Sequence, residues 1–580
     1  MKAKLNTLFA IIVLSPFMSL NAQIYEEPLM NGILFVPCAE MPDLMINYRE
    51  DYKSLAIAYI IHSSPEYRER YKKLYNDYLK KLDKIDFEAL PQECKVDYVL
   101  FKRDLNENIR LSDVASQEYN KVEKWFPFAS KIFETEKLRR RGTKLDAQKL
   151  ALELAAMNKQ IKNLSLDLEK EKDFTLSNIH TGKQIVKDVK KALKSVYDFY
   201  NGYDPLFSWW IPIPYENLDE TLDNYASKFE EKMSSPQFLQ DGSGIAGKPV
   251  GKEELTKSLN YNYIPYSPEE LIKIANIELD WSQKEILKAS KDLGFGDDWK
   301  AASEKVKETY VSPGDQPEMI IRLFEESIKF IRDHDLLTIP PLAEEVWGIQ
   351  MMSPERQLIA PFFLGGTSIL VSYPTNTMEI EDRMMSMRGN NPHFSRATVH
   401  HESIAGHHLQ GYMNNRNRAY RNFHTPFWLE GNALYWEFLL YDMKFPESPE
   451  DKIGMLFWRM HRSARIVFSL NYHLGNWTPQ ECIDFLVDRV NFERANATAE
   501  VRRSFASTYS PLYQLAYMVG GLQFWAMKKE LVDNGSMSIK EFNDSVLQLN
   551  AMPVEMVRAI LTNQDIKKDF KTKWKFYEKL

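Results

Sequence analysis

The chain has 580 residues, of which 44% are hydrophobic and 13% aromatic, and its formal net charge is -7 at pH 7. This acidic balance argues against a nucleic-acid-binding protein, because phosphate backbones attract basic surfaces. Cys38, Cys94 and Cys482 are too few and too far apart for a disulfide scaffold or a cysteine metal cluster. The length allows two or three ordinary domains or one large helical unit that packing stabilises.

The N-terminus has the pattern of a signal peptide over residues 1–22. Two lysines among the first four residues precede an apolar run, Leu8–Leu14, and small residues follow up to Ala22. Pro16 ends the apolar run well short of the length that spans a bilayer. The sequence therefore predicts cleavage near Ala22 and secretion, most simply to a periplasm, with no membrane span in the mature chain. The next residue, Gln23, is not the cysteine of a lipid-anchored protein.

Helical periodicity covers most of the chain. The clearest case is a long amphipathic helix in which apolar residues recur every three or four positions from Leu150 to Leu168. Further helices are predicted around 44–60, 65–83, 95–113, 183–201, 267–291, 316–333, 450–472 and 479–492. A loop over 234–252, rich in glycine and proline, separates an N-terminal helical half, 23–240, from a C-terminal half, 241–580. We expect the C-terminal half to carry the functional site within one continuous catalytic unit.

Strand signals are sparse, and the clearest covers Thr367–Tyr373. This segment is rich in β-branched residues and is bounded by Gly365, Gly366 and Pro374. The predicted fold class is therefore mainly α, with a small β element near the active site. We expect the strand to lie at a sheet edge, where it can pair with an extended peptide.

Four of the eleven histidines stand between His400 and His408. A neutral imidazole is a good zinc ligand, and Glu402, directly after His401, is suited to accept a proton from water. The segment does not match the HExxH helix of many zinc peptidases, because Ala405 occupies the position four after His401. A histidine cluster without a metal remains the alternative interpretation.

The spacing of the histidines requires a break in the helix. On a regular helix His407 points about 240° away from His401, and His408 returns to the same face about 10 Å further along. An interrupted turn at Gly406 would absorb two residues and bring His407 beside His401. We therefore predict His401 and His407 as ligands, with His408 as the alternate. We expect His400 either to support a ligand from behind or to pack around the site.

A catalytic zinc needs a third protein ligand and one open position. Glu430 and Glu437 stand seven residues apart in the apolar helical segment Phe427–Glu437, where carboxylates need a partner. Glu430 is the predicted ligand. Glu437 is the alternate, or an acceptor for the second nitrogen of a ligand imidazole. A glutamate favoured by the helix dipole is the plainer interpretation of either residue.

The chain resembles the bacterial domain of unknown function 885 family, which is similar to zincin-type metallopeptidases of the oligopeptidase and angiotensin-converting-enzyme kind. The resemblance covers the chain from about residue 45 to the C-terminus, and in the N-terminal half it rests on helical character more than on motifs. Four blocks in the C-terminal half carry it: His401-Glu402 with Gly406-His407-His408-Leu409-Gln410; Glu430-Gly431 with Ala433-Leu434-Tyr435 and Glu437; Arg462 with Ala464-Arg465-Ile466-Val467, His473 and Trp477; and Tyr509, Pro511, Gln514, Ala516-Tyr517 and Gly520. The resemblance implies that His401 and His407 bind metal, that Glu402 is the base and that Glu430 completes the site.

The chain departs from the family pattern at four positions. Ala405 replaces a usual proline, Asn432 a tryptophan, Ser469 an aspartate and Asn543 a histidine. The first change falls in the expected helix break, and the last would remove a polar contact to the substrate.

These residues predict a zinc peptidase that cleaves short peptides or amides by activating water, with Glu402 as general base. His473 and Tyr517 are the favoured donors to the oxyanion, because similar peptidases use a histidine and a tyrosine downstream of the third ligand. Arg465 and Tyr509 are the other candidates for this role. Two alternatives stay open: a metal-dependent hydrolase of other amides or esters, and a homologue that binds metal or peptide without turnover. The sequence does not indicate the oligomeric state.

Overall fold

The computed structural model describes residues 40–233, 241–357, 362, 364–366, 368–372, 374–506 and 509–578. The predicted signal peptide and cleavage point therefore lie outside the described residues. The described residues from Glu40 onward belong to one compact unit. The boundary proposed near residue 240 stays a prediction.

Helices form most of the described chain, as the periodicity predicts. The first eight are α1 (Glu40–Ala58), α2 (Pro65–Leu82), α3 (Gln92–Val122), α4 (Ala129–Arg139), α5 (Ala147–Lys170), α6 (Leu176–Tyr200), α7 (Pro205–Trp210) and α8 (Pro212–Met233). Helices α3 to α8 bury an apolar core of their own, in which the leucine-rich face of α5 packs against α8. The predicted loop separates α8 from α9, and its residues 234–240 lie outside the described part.

The remaining helices include those that carry the candidate site. They are α9 (Gly251–Tyr261), α10 (Pro268–Asp292), α11 (Trp299–Lys307), α12 (Gln316–Asp333), α13 (Pro341–Glu345), α14 (Pro354–Gln357), α15 (Ile380–Gly389), α16 (Pro392–Glu402), α17 (His407–Asn414), α18 (Pro426–Asp442), α19 (Pro449–His473), α20 (Pro479–Val490), α21 (Arg494–Phe505), α22 (Tyr513–Lys528), α23 (Ile539–Gln548) and α24 (Val554–Leu561). No described helix is both long and apolar enough to cross a membrane.

The β element is a small parallel pair near the site. Strand β1 (Ile349–Met351) pairs with β2 (Ile369–Val371), whose predicted ends Thr367 and Tyr373 lie outside the described residues. On its other side, Leu370 exchanges backbone hydrogen bonds with Leu364 at 2.7 and 3.1 Å. The backbone of β2 is thus already paired on both sides at Leu370, which leaves less of the strand for an extended peptide than the sequence predicts.

Helices α18 and α22 cross at two glycines. A Cβ atom on Gly520 of α22 would lie only 2.0 Å from the carbonyl oxygen of Phe427, and one on Gly431 would lie 2.5 Å from Gly520 Cα. Glycine is required at this crossing because any side chain would force the backbones apart. The close approach brings the first turns of α22 beside Glu430.

Candidate metal centre

The predicted break in the histidine helix is present. Helix α16 ends at Glu402, and α17 begins at His407. At the break, Gly406 lies so close to the first helix that a Cβ atom there would be 1.7 Å from the His401 carbonyl oxygen. The interruption brings the rings of His401 and His407 to 4.9 Å between centroids, nearly perpendicular to each other.

Glu430 of α18 completes a cluster of three groups that could hold a metal ion. Its Oε2 atom lies 3.4 Å from His401 Nε2 and 3.2 Å from His407 Nε2. One potential ligand atom from each residue lies within 4.8 Å of the other two. Tetrahedral zinc with bonds of about 2.0 Å places its ligand atoms about 3.3 Å apart, so the two shorter separations fit such an ion.

Neighbouring side chains hold the histidine rings in one orientation. His401 Nδ1 donates to Glu437 Oε1 at 2.7 Å, and His407 Nδ1 donates to Gln410 Oε1 at 3.1 Å. With Nδ1 protonated in each neutral ring, both Nε2 lone pairs face the Glu430 carboxylate. Lone pairs that face one another require a proton or a cation between them. Glu437, the alternate ligand, therefore lies behind His401 and accepts from the second nitrogen of its ring, which is the other role that the sequence allowed.

Gln410 is itself held in place by α18. Its amide nitrogen donates to the Leu429 carbonyl oxygen at 3.0 Å and to Asn432 Oδ1 at 3.2 Å. Asn432 is one of the four departures from the family pattern, and its amide thus contributes to the orientation of His407. Asn543, another departure, donates to the Leu336 carbonyl oxygen at 2.9 Å and does not line the cavity beside the cluster.

The other two histidines of the segment face away from the cluster. His408 Nε2 lies 2.8 Å from the Ala343 carbonyl oxygen, so the structure does not bring this alternate ligand to the site. His400 is fully buried. Burial lowers the pKa of His400 to about 4, and the ring packs edge-on against Phe445. His400 is thus a packing residue, which is one of the two roles predicted for it.

A tyrosine that the sequence did not single out contacts the cluster. The Tyr513 hydroxyl donates to Glu430 Oε1 at 2.6 Å, which leaves Oε2 for the histidines. Its oxygen also lies 3.5 Å from the Tyr517 hydroxyl. Tyr513 stands one turn before Tyr517 on the same face of α22, and this spacing of four is the signal by which it could have been found.

Of the two predicted oxyanion donors, the structure brings only Tyr517 to the cavity. The Tyr517 ring stacks on His401 with 6.0 Å between ring centres. His473, in contrast, packs against Tyr472 and Phe505 and does not line the cavity. Its ring nitrogens find no partner among the described residues. The end of α19 therefore carries His473 into the core, away from the place that the sequence suggested.

The cluster opens into a cavity of about 230 Å³. Its lining includes His401, Glu402, His407, Glu430, Trp458, Arg462, Arg465, Glu500, Arg503, Tyr509, Tyr513 and Tyr517. Glu402 is 8% exposed, and its Oε2 lies 3.9 Å from His407 Nε2. Burial raises the pKa of Glu402 above its ordinary value, against the opposing effect of the two histidines. A Cβ atom on Gly365 would lie 2.2 Å from this carboxylate, so the loop before β2 closes tightly over it.

The sequence matches a family described as bacterial proteins of unknown function, DUF885, over residues 60–561. The chain belongs to this family. The fold is similar to that of a proposed lipoprotein of unknown function from Shewanella oneidensis, with 16% identity, a TM-score of 0.65, and 90% of this chain and 100% of the other covered. A proposed lipoprotein from Colwellia psychrerythraea is similar at 15% identity, with a TM-score of 0.56 and coverage of 90% and 98%. A comparison with curated proteins finds no match.

Proposed function

We propose that this DUF885 protein is an exported metal-dependent hydrolase whose zinc ion is held by His401, His407 and Glu430. The observation that carries the proposal is the approach of two imidazole nitrogens to one carboxylate oxygen at 3.4 and 3.2 Å. Two imidazoles and a carboxylate, with one position left for water, are a typical ligand set for catalytic zinc. The cavity beside the cluster offers room for that fourth position.

Peptide bonds are the proposed target. A zinc ion held by His401, His407 and Glu430 would supply a Lewis acid for activating water and polarising a carbonyl group. The Glu402 carboxylate accepts the proton of the attacking water and returns it to the amine nitrogen as the C–N bond breaks. The water oxygen ends on the carbonyl carbon, so the products are a carboxylate and an amine.

The tyrosines of α22 have separate tasks in this proposal. Tyr513 holds Glu430 through its hydroxyl, while Tyr517 donates a hydrogen bond to the oxygen on which negative charge develops. Burial raises the pKa of Tyr517 to about 12, so its hydroxyl keeps its proton at neutral pH. Tyr517 is therefore suited to donate rather than to accept.

The size of the cavity favours short substrates. Its volume of about 230 Å³ is below the range of about 300–1,000 Å³ that is usual for ligand pockets. The interrupted helix with adjacent histidine and glutamate, and the third ligand on a later helix, support the zincin-like architecture that the family resemblance implies. A zincin-like peptidase for short peptides is the form of hydrolase that we propose.

Export is part of the proposal. Residues 1–22 have the pattern of a signal peptide, and the two similar solved structures are of proposed lipoproteins. Cys94 is disulfide-bonded, which is typical of an oxidising compartment outside the cytoplasm. Secretion accounts for these three observations together, and cleavage near Ala22 is the proposed processing step.

The test compares the wild type with Glu402→Gln on a mass-spectrometric panel of short peptides, esters and acylated amino acids. We expect the wild type to hydrolyse peptides and the variant to lose about 10²- to 10⁴-fold in kcat, since it lacks the base. Metal content, measured on both proteins, should stay equal. Cleavage of esters or acyl-amides alone would identify a different hydrolase. Equal trace activity in the two proteins would contradict catalysis and favour a binding protein.

A further inference from the structure

Four arginines line the same cavity as the metal-binding cluster; Arg356 is exposed, and the other three are buried or partly buried. Arg462 and Arg465 stand one turn apart on α19, and Arg503 lies on α21. One carboxylate, that of Glu500, is shared by two of them: it lies 2.6 Å from Arg465 Nε and 2.9 Å from Arg503 Nε. This part of the cavity therefore carries more positive charge than its own carboxylate neutralises.

Arg462 is the least satisfied of these groups. The residue is only 5% exposed, and its Nε has no hydrogen-bond partner in the described part of the chain. Its nearest carboxylate oxygen, Glu437 Oε1, is 3.7 Å from a terminal nitrogen and already accepts from His401. Nη1 of Arg465, a residue 3% exposed, likewise has no partner among the described residues. A buried guanidinium with unused N–H groups is costly unless a ligand accepts from it.

Aromatic rings hold both arginines close to the cluster. The guanidinium carbons of Arg462 and Arg465 lie 4.6 and 4.5 Å from the centre of the Tyr517 ring, and Arg462 also lies 5.0 Å from Trp458. The Tyr517 ring stacks in turn on His401. One aromatic ring thus separates the two positive charges from the proposed metal ligand, a span that one or two peptide residues can bridge.

Resting on the function proposed above, we infer that Arg462 and Arg465 bind a free carboxylate of the substrate. The substrate class is then a short peptide or N-acylated amino acid whose α-carboxylate lies within one or two residues of the bond that is cut. A planar guanidinium matches a planar carboxylate with two parallel hydrogen bonds. Glu402 and Glu500 line the same cavity, and their negative charges favour a singly charged ligand over a phosphate dianion.

Binding tests this inference without relying on turnover. In the Glu402→Gln background, we would measure the affinities of trialanine and trialanine amide by calorimetry. We expect trialanine, with its free carboxylate, to bind about ten- to a hundred-fold more tightly. Arg462→Met in the same background should remove most of this difference. The control is Lys452→Met, which removes a cation from α19 outside the cavity.

The comparison of acid with amide needs no arginine variant, so it remains decisive if Arg462→Met fails to fold. Equal affinities for the two probes, or a preference that survives in a folded Arg462→Met protein, would overturn the inference. Turnover of the two probes by the wild type distinguishes a failure of this inference from a failure of the proposed function. Equal cleavage of both probes would keep the peptidase and refute the subsite, whereas a binding preference without cleavage would keep the subsite and refute the peptidase.

Discussion

At the scale of single residues, the site depends on which nitrogen of each histidine faces inward. Glu437 and Gln410 accept from Nδ1 of His401 and His407, and this leaves both Nε2 atoms toward Glu430. Partners of this kind fix the ring and make it a better ligand. The arrangement therefore contains a specific prediction about which histidines hold metal.

We predict that His401→Ala and His407→Ala lose zinc on dialysis, while His408→Ala keeps it. Each of the first two changes removes one of three protein donors, whereas His408 hydrogen-bonds the Ala343 carbonyl oxygen. Metal content per chain, measured by inductively coupled plasma mass spectrometry, provides the readout. Retention of zinc by His407→Ala together with its loss in His408→Ala would mean that His408, and not His407, is the second ligand.

At the scale of secondary-structure elements, the break between α16 and α17 decides whether the histidines meet. The backbone at Gly406 passes so close to the end of α16 that no side chain fits between them. Gly411 lies four residues after His407 within α17, where nothing stands within 4 Å of the position that a Cβ atom would take. The two glycines thus allow a matched comparison.

We predict that Gly406→Ala lowers the free energy of unfolding by about 3 kcal/mol or more, because the added methyl group would overlap the His401 carbonyl oxygen. Gly411→Ala should be neutral or stabilising by up to about 1 kcal/mol, because alanine favours a helix interior. Urea unfolding followed by circular dichroism measures both values. Similar stabilities for the two variants would mean that the turn at Gly406 relaxes without cost.

At the scale of the whole molecule, a buried ionic cluster joins α3 to the segment between α17 and α18. Arg421 donates to Asp97 at 2.8 Å and to Glu93 at 2.7 Å, and Arg418 also donates to Glu93 at 2.7 and 2.8 Å. Burial acts to raise the pKa of Glu93, but the hydrogen bonds and charges of the two arginines outweigh it and lower the pKa below 4.5. The ionised carboxylate therefore stabilises the folded chain.

Because the pKa of Glu93 is lowered on folding, its contribution is complete above its unfolded pKa of about 4.5 and is lost as the pH falls through the folded value. We predict that Glu93→Gln is less stable than the wild type at pH 7 and that the gap narrows below about pH 4.5. The control is Glu88→Gln, an exposed site 3.6 Å from Lys95. Urea unfolding across this pH range measures the gap, and a gap that stays constant down to pH 3 would contradict the assignment.

Much of the site could be predicted because its signals are local. Apolar residues at helical spacing predicted α5, and the spacing of six between His401 and His407 predicted the break at Gly406, since both follow from the geometry of one helix. His473 shows the limit of such reasoning. Its place at the end of α19 was visible, but the direction in which that end faces depends on the packing of α19 against its neighbours.

The sequence by itself determined the helical fold class, the interrupted histidine helix and the three residues that the structure brings together. Only the tertiary structure decided that Tyr513 holds Glu430, that Glu437 stands behind His401, and that Arg462 and Arg465 line the cavity. The physical reason is the range of the interactions. Backbone geometry and side-chain periodicity act over a few residues, whereas the crossing of α18 and α22 at Gly431 and Gly520 joins segments that are about ninety residues apart.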